Sequence, residues 1–108
     1  GSLGREKAKR AREIRAPLLK SRQLYGMAEE AVSEGRFKDA THHLTESIEK
    51  NDATYWPAYS LRGRLRYRDG EIQGALEDLT VCVQEAPGDR LALKARARLY
   101  ASQERWED

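Results

Sequence analysis

An all-α chain assembled from antiparallel helix pairs is the fold class this sequence predicts, and three observations carry the prediction. The residues from Met27 onward recur 35 positions later, small over small and large apolar over large. Within each copy the apolar residues fall three and four apart, the period of a helix with one buried face. Gly35 and Gly70 stand at the same point of the two copies, where a helix ends most easily on a left-handed residue.

Bulk composition agrees. The 108 residues make one small domain, 39% apolar and so able to build a core. A charged share of 35% with both signs present, against 7% aromatic, points to well-solvated helices around a modest interior. No apolar run approaches the roughly 20 residues of a membrane span. The basic front has no apolar stretch and cleavage site behind it, so no signal peptide is expected. Cys82 is the single cysteine, which excludes a disulfide framework or a cysteine-based zinc site. Together these lead to the expectation of an intracellular chain, cytoplasmic or nuclear. The net charge of +2 conceals an asymmetry: residues 1–23 hold eight Lys or Arg against two Glu, and the remainder hold twelve against sixteen acidic residues.

Residues 3–16 are rich in Ala, Lys, Arg and Glu, strong helix formers. They are expected to stop before Pro17, because a proline pushes the preceding residue out of the α region. Their apolar members are alanines plus Ile14, too thin a stripe to bury well. Residues 1–20 therefore form a basic leading helix or linker. Residues 18–34 predict the next helix, through Leu24, Met27, Ala28 and Ala31, capped by Gly35. Residues 37–50 predict another, through Phe37, Ala40, Leu44 and Ile48.

The stretch from Ser60 to Leu79 is ambiguous by itself. Arg62, Arg64, Arg66 and Arg68 alternate as on a strand, and Asp69-Gly70 is a hairpin signal. The 35-residue overlay decides it. Ala28 falls on Gly63, Gly35 on Gly70, Phe37 on Ile72, Ala40 on Ala75, Leu44 on Leu79, Ser47 on Cys82 and Ile48 on Val83. The first copy has no alternation and is plainly helical, so Asp69-Gly70 is a corner between helices. Arg62 and Arg66 then share one flank, and Arg64 and Arg68 another, since residues four apart are neighbours. A period near 34 with two helices per unit marks a stacked helical array.

These residues resemble the tetratricopeptide repeat family. Repeat one, residues 21–55, carries Leu24, Ala28, Gly35, Phe37, Ala40, Leu44 and Ser47 in the family's slots, with Asp52 where proline is usual. Repeat two, residues 56–89, carries Tyr59, Gly63, Gly70, Ile72, Ala75, Leu79, Cys82 and Pro87. A partial repeat or capping helix, residues 90–108, offers Leu93, Ala97, Tyr100 and Trp106, with Glu104 in place of the corner glycine. Arg62 and Arg66 occupy slots where the pattern has Leu and Tyr. A dry unpaired guanidinium is costly, so both are expected to reach water or meet carboxylates of the preceding helix, such as Glu46 or Glu49.

The resemblance implies a right-handed stack of helix pairs whose first helices line a concave, partner-binding groove. By position, repeat one contributes Arg22, Tyr25 and Glu29, repeat two Leu61, Arg64, Tyr67 and Arg68, and the partial third unit Lys94 and Arg98. Leu91 and Ala95 fall on the same face. Two four-apart cation pairs facing one channel favour an acidic or amphipathic segment of another protein. The second helices carry Glu46, Glu49, Glu77, Asp78 and Glu85, which would make the outer face acidic. The family's grip on chaperone C-terminal tails needs Lys and Asn in the first unit, Asn in the second, and Lys and Arg in the third. The matching places hold Tyr25, Glu29, Leu61, Leu91 and Ala95, so that ligand is not expected. The plain alternative is that these cations only solvate a surface.

Other signals are weaker. His42 and His43 point about 100° apart on a helix and cannot jointly grip one metal; His42 with Glu46 would make at best a weak surface site. Cys82 in a small-residue slot is expected to be a buried, inert thiol. No phosphate loop, zinc motif or hydrolase elbow occurs, so the chain is not expected to be an enzyme or to hold a cofactor or metal. The basic front is a candidate for nucleic-acid phosphates through Arg5, Lys7, Lys9, Arg10, Arg12 and Arg15, although no aromatic is present there for base stacking. The unfinished third unit leaves Leu93, Ala97 and Tyr100 for a second copy to cover, a route to a homodimer.

Overall fold

The computed structural model describes residues 2–107, with side chains outside 11–14 and 105–107. Five helices follow one another: α1 Ser2–Ser33, α2 Phe37–Lys50, α3 Trp56–Arg68, α4 Ile72–Glu85 and α5 Arg90–Glu107. No strand occurs among the described residues, and the alternating arginines lie within α3. The side chains of Arg12, Ile14 and Trp106 lie outside the described ones.

The expected break before Pro17 is absent, and residues 2–33 form one helix with Pro17 inside it. A proline deletes one backbone bond and crowds the carbonyl four residues back, a cost of about 3 kcal/mol. Strong helix formers upstream, and packing downstream, carry the helix across it. Ser21, Leu24, Ala28 and Ala31 are all buried. Ser21 Oγ donates to the Ser47 carbonyl at 3.1 Å and accepts from the Asp52 N–H at 3.1 Å, tying α1 to the end of α2. Residues 2–10, by contrast, are exposed throughout, which gives the molecule its 68 × 29 × 19 Å outline.

The two glycine corners share the same pair of capping bonds. Gly35 has φ +77° and Gly70 φ +81°. Behind Gly35, Arg36 N–H donates to the Ala31 carbonyl at 2.8 Å and Gly35 N–H to that of Val32 at 3.0 Å. Behind Gly70, Glu71 N–H donates to Arg66 at 2.8 Å and Gly70 N–H to Tyr67 at 3.1 Å. This pairing satisfies carbonyls that a helix end leaves open, and it requires a residue tolerant of positive φ at the corner.

Each helix packs on the next, and in addition α1 touches α3 and α3 touches α5. One apolar cluster joins the first three helices through Ala28, Ala31, Ala40, Leu44, Ala58 and Leu65. A second joins α4 and α5 through Ala75, Leu76, Leu79, Cys82, Ala92 and Leu99. Tyr59 packs against both, with its hydroxyl donating to the Ala53 carbonyl at 2.9 Å. Each fully buried leucine stabilises the fold by about 1.5–3 kcal/mol relative to exposure. At Gly63 the α3 backbone approaches α4 closely: a Cβ there would lie 2.9 Å from Leu79 Cγ and 3.1 Å from Asp78 Cβ.

Arg62 and Arg66 do avoid dry isolation, but their partner is not on the preceding helix. Arg62 forms a two-pronged pair with Asp78 of α4, Nε to Oδ2 and Nη2 to Oδ1, both 2.8 Å. Arg66 Nη1 reaches Asp78 Oδ2 at 3.1 Å. From α2 the hydroxyl of Thr45 accepts from Arg62 Nη1 at 3.2 Å, while Glu49 acts on Arg62 only through its charge. Burial pulls the Arg62 pKa down, and the hydrogen bonds and charge of Asp78 more than reverse it, so the guanidinium stays charged. Asp78 is thus an interior anion and not part of an acidic outer face. Its spacing of three from Ala75 and four from Cys82 sets it on the buried stripe of α4.

Candidate functional site

The face shared by α1, α3 and α5 holds two adjoining cavities. The first, about 280 Å³, lies between Tyr25 of α1, Tyr55 with the Trp56-Pro57 start of α3, and Asp89 with Leu91 at the start of α5. Pro57 at the head of α3 suits the first turn, where no intrahelical bond is lost, and Trp56 beside it is 38% exposed. Tyr25 and Tyr55 meet edge to face, with centroids 6.0 Å apart and planes at 79°. Both phenols titrate above their ordinary range, mainly because burial penalises the phenolate. Glu29 reinforces this at both, while Arg64 opposes it at Tyr25 and Arg22 at Tyr55. Arg22 and Glu29 act on these phenols but are not among the residues that line the cavity.

The second cavity, about 320 Å³, lies further along α3 and α5. Arg64, Lys94 and Arg98 surround it, over Tyr67, Leu91 and Ala95. No carboxylate lines it, and among the described residues none of the three cations forms an ion pair. Arg64 Nε donates to the Ser60 carbonyl at 3.3 Å, which steadies the guanidinium where the two cavities join.

Two expected groove residues are elsewhere. Leu61 is buried in the first apolar cluster. The Arg68 guanidinium stacks on the Phe37 ring, 3.6 Å from its centroid, and pairs with Asp69 at 3.3 Å. Three cations, not four, converge on the channel. The arrangement also contains residues that sequence reasoning passed over. Tyr55, Trp56 and Pro57 build the aromatic wall, and Asp89 holds α5 against α3. The Asp89 carboxylate accepts from Ser60 Oγ at 3.3 Å, from Cys82 Sγ at 3.3 Å and from the Leu91 N–H at 3.1 Å. The last of these is a helix N-cap, a role Asp fills well, so an Asp just after Pro87-Gly88 was the available signal. Cys82 is fully buried, and burial, with help from Asp89, pushes its thiol up to about 12.

Elsewhere, His42, Thr45, Glu46, Glu49 and Lys50 line a cavity of about 290 Å³ on α2. Among the described residues no three His, Cys, Asp or Glu side chains are grouped to hold a metal. Arg5, Lys7, Lys9, Arg10 and Arg15 are exposed along the leading part of α1. Leu93 and Tyr100 are exposed on α5, 38% and 48%, and Ala97 is exposed between them. No described helix is long and apolar enough to cross a membrane. No family model and no curated protein matches the chain.

Proposed function

We propose that this chain is a protein-binding module of tetratricopeptide-repeat type and not an enzyme, holding an acidic or amphipathic segment of a partner along the α1–α3–α5 face. The fold half of that reading is supported by the repeated glycine corners and by the contacts of α1 with α3 and α3 with α5. The observation that carries the functional half is the cavity ringed by Arg64, Lys94 and Arg98 with no carboxylate among its walls. Cations left unpaired beside apolar floor residues are matched by carboxylates arriving on a ligand. Each such contact contributes about 1.5–3 kcal/mol where water is excluded, and less where it is not. The test is affinity capture with wild type and with Arg64→Glu/Lys94→Glu, using circular dichroism to confirm helix content. Loss of partner with retained helix supports the groove; unchanged capture reduces these cations to a solvated surface.

A second reading rests on the leading half of α1. Its five described cations project from an exposed helix with no ion pair among the described residues. Such a rod would contact nucleic-acid phosphates without reading sequence, and its affinity would fall steeply with salt. Binding to generic RNA at several salt concentrations, with and without residues 1–20, separates the two readings.

A further inference from the structure

The two cavities share Arg64 and Leu91 and differ in chemistry: aromatic rings dominate the first, with the Asp89 carboxylate also in its wall, and cations surround the second. They follow each other along the same two helices. On α3 the first cavity draws on Trp56, Pro57 and Ser60, and the second on Arg64 and Tyr67. On α5 the first meets only Leu91, and the second extends through Lys94 to Arg98. At 1.5 Å of rise per residue, their centres are separated by roughly 5–10 Å along the helices. An extended peptide covers that distance in about two to three residues at 3.3 Å each.

Resting on the groove reading above, we infer that the groove recognises a two-part linear motif. An apolar side chain, aromatic or branched aliphatic, enters the Tyr25–Tyr55–Trp56–Pro57 cavity. A pair of carboxylates about two to three positions away meets Arg64, Lys94 and Arg98. Charge complementarity selects this occupant over an apolar helix, because a purely apolar ligand would bury three cations without counter-ions. It also disfavours a second copy of the same face, which would bring like charges together. Leu91 and Arg64, common to both cavities, set the spacing between the two halves of the motif. Asp89, held by Ser60, Cys82 and the Leu91 N–H, keeps α5 at the distance from α3 that this spacing requires.

The experiment is selection from a displayed library of random dodecapeptides against the full chain, repeated against Arg64→Glu/Lys94→Glu and against Trp56→Ala. All three proteins are checked for equal helix content, and the best peptides are then titrated by fluorescence anisotropy. The expected outcome is an enriched pattern of one large apolar residue and two acids at a fixed separation. Trp56→Ala should weaken the selected peptide at least tenfold, yet should not weaken further a peptide whose apolar residue is already alanine. Moving the acids two positions should also cost at least tenfold. Enriched peptides that need Arg64 and Lys94 but show no apolar anchor or no fixed spacing would overturn the two-part motif and leave the groove reading standing. No enrichment above background, or enrichment indifferent to the charge reversal, would overturn both. Concentration-dependent dimers abolished by Trp56→Ala would assign the aromatic cavity to a second copy, and that too would overturn the motif.

Discussion

Replacing Asp78 by Asn is the sharpest perturbation of this fold. The Asp78 side chain is 4% exposed and accepts three hydrogen bonds, two from Arg62 at 2.8 Å and one from Arg66 at 3.1 Å. The Arg62 side chain is 9% exposed, so once the carboxylate charge is gone its cation keeps the Thr45 hydroxyl, the Tyr59 ring at 5.9 Å and the charge of Glu49, which forms no hydrogen bond to it. None of these is a carboxylate in direct contact. Stranding one member of a buried pair costs about 3–5 kcal/mol. Domains of this size are stable by about 5–15 kcal/mol, so the variant forfeits a large fraction of the total. At about 4 °C per kcal/mol, its Tm should fall by roughly 12–20 °C. Urea unfolding followed by circular dichroism measures the loss, with an unchanged slope showing that the same surface is exposed. The double variant Arg62→Met/Asp78→Leu removes both charges and should recover to within about 1 kcal/mol of wild type, since apolar replacement of a buried pair is often neutral. Arg66, 26% exposed and 3.7 Å from Glu71, can turn outward in that variant. A loss below about 1 kcal/mol in Asp78→Asn would refute the claim that these charges depend on each other.

Two further substitutions examine the interior. Gly63→Ala gains helix propensity but forces its Cβ to within 2.9 Å of Leu79, so it should destabilise by about 1–3 kcal/mol in the same urea assay. The Cys82 thiol, raised to about 12, should resist alkylation at pH 8 until the chain unfolds. Because its folded pKa lies above the unfolded one, the stability it contributes is complete below about pH 9. That stability is lost as pH rises towards about 12, at up to about 1.4 kcal/mol per pH unit. Tyr25, Tyr55 and Tyr59, also raised by burial, act in the same direction. Cys82→Ser should therefore flatten the alkaline stability profile without abolishing its slope.

The helices were legible because the 35-residue overlay compares chemistry and not propensity. Taken alone, Arg62 to Arg68 read equally well as strand, and only the first copy resolved them. Ala40 with Ala75, Leu44 with Leu79 and Ser47 with Cys82 are each fully buried, so the overlay also located the seams between helices. Pro17 misled because the local rule weighs one lost bond and one clash, whereas the helix beyond it is held by tertiary packing at Ser21 and Leu24. Asp78 was misplaced because its charge suggested solvent, although its position between Ala75 and Cys82 already put it inside. Arg62 and Arg66, four apart on α3, are the cations that such an aspartate needs. In the groove, Tyr25, Arg64, Tyr67, Lys94 and Arg98 are residues that the family resemblance implies by position, and they line the two cavities. The aromatic wall at Tyr55 and Trp56 could not be placed that way, because it stands where the chain enters α3 and its position depends on how α2 and α3 pack. Arg68 left the expected channel for a similar reason: Phe37, at the start of α2, offers a ring face nearer than the groove.

Amide chemical-shift mapping of the full chain, titrated with a library-selected peptide, tests the groove most directly. The account predicts shifts concentrated at residues 55–67 and 91–98, with Tyr25 responding on α1. Shifts confined to α2 and α4, around His42 and Glu46 or Glu77, with the α3 and α5 amides silent, would contradict it.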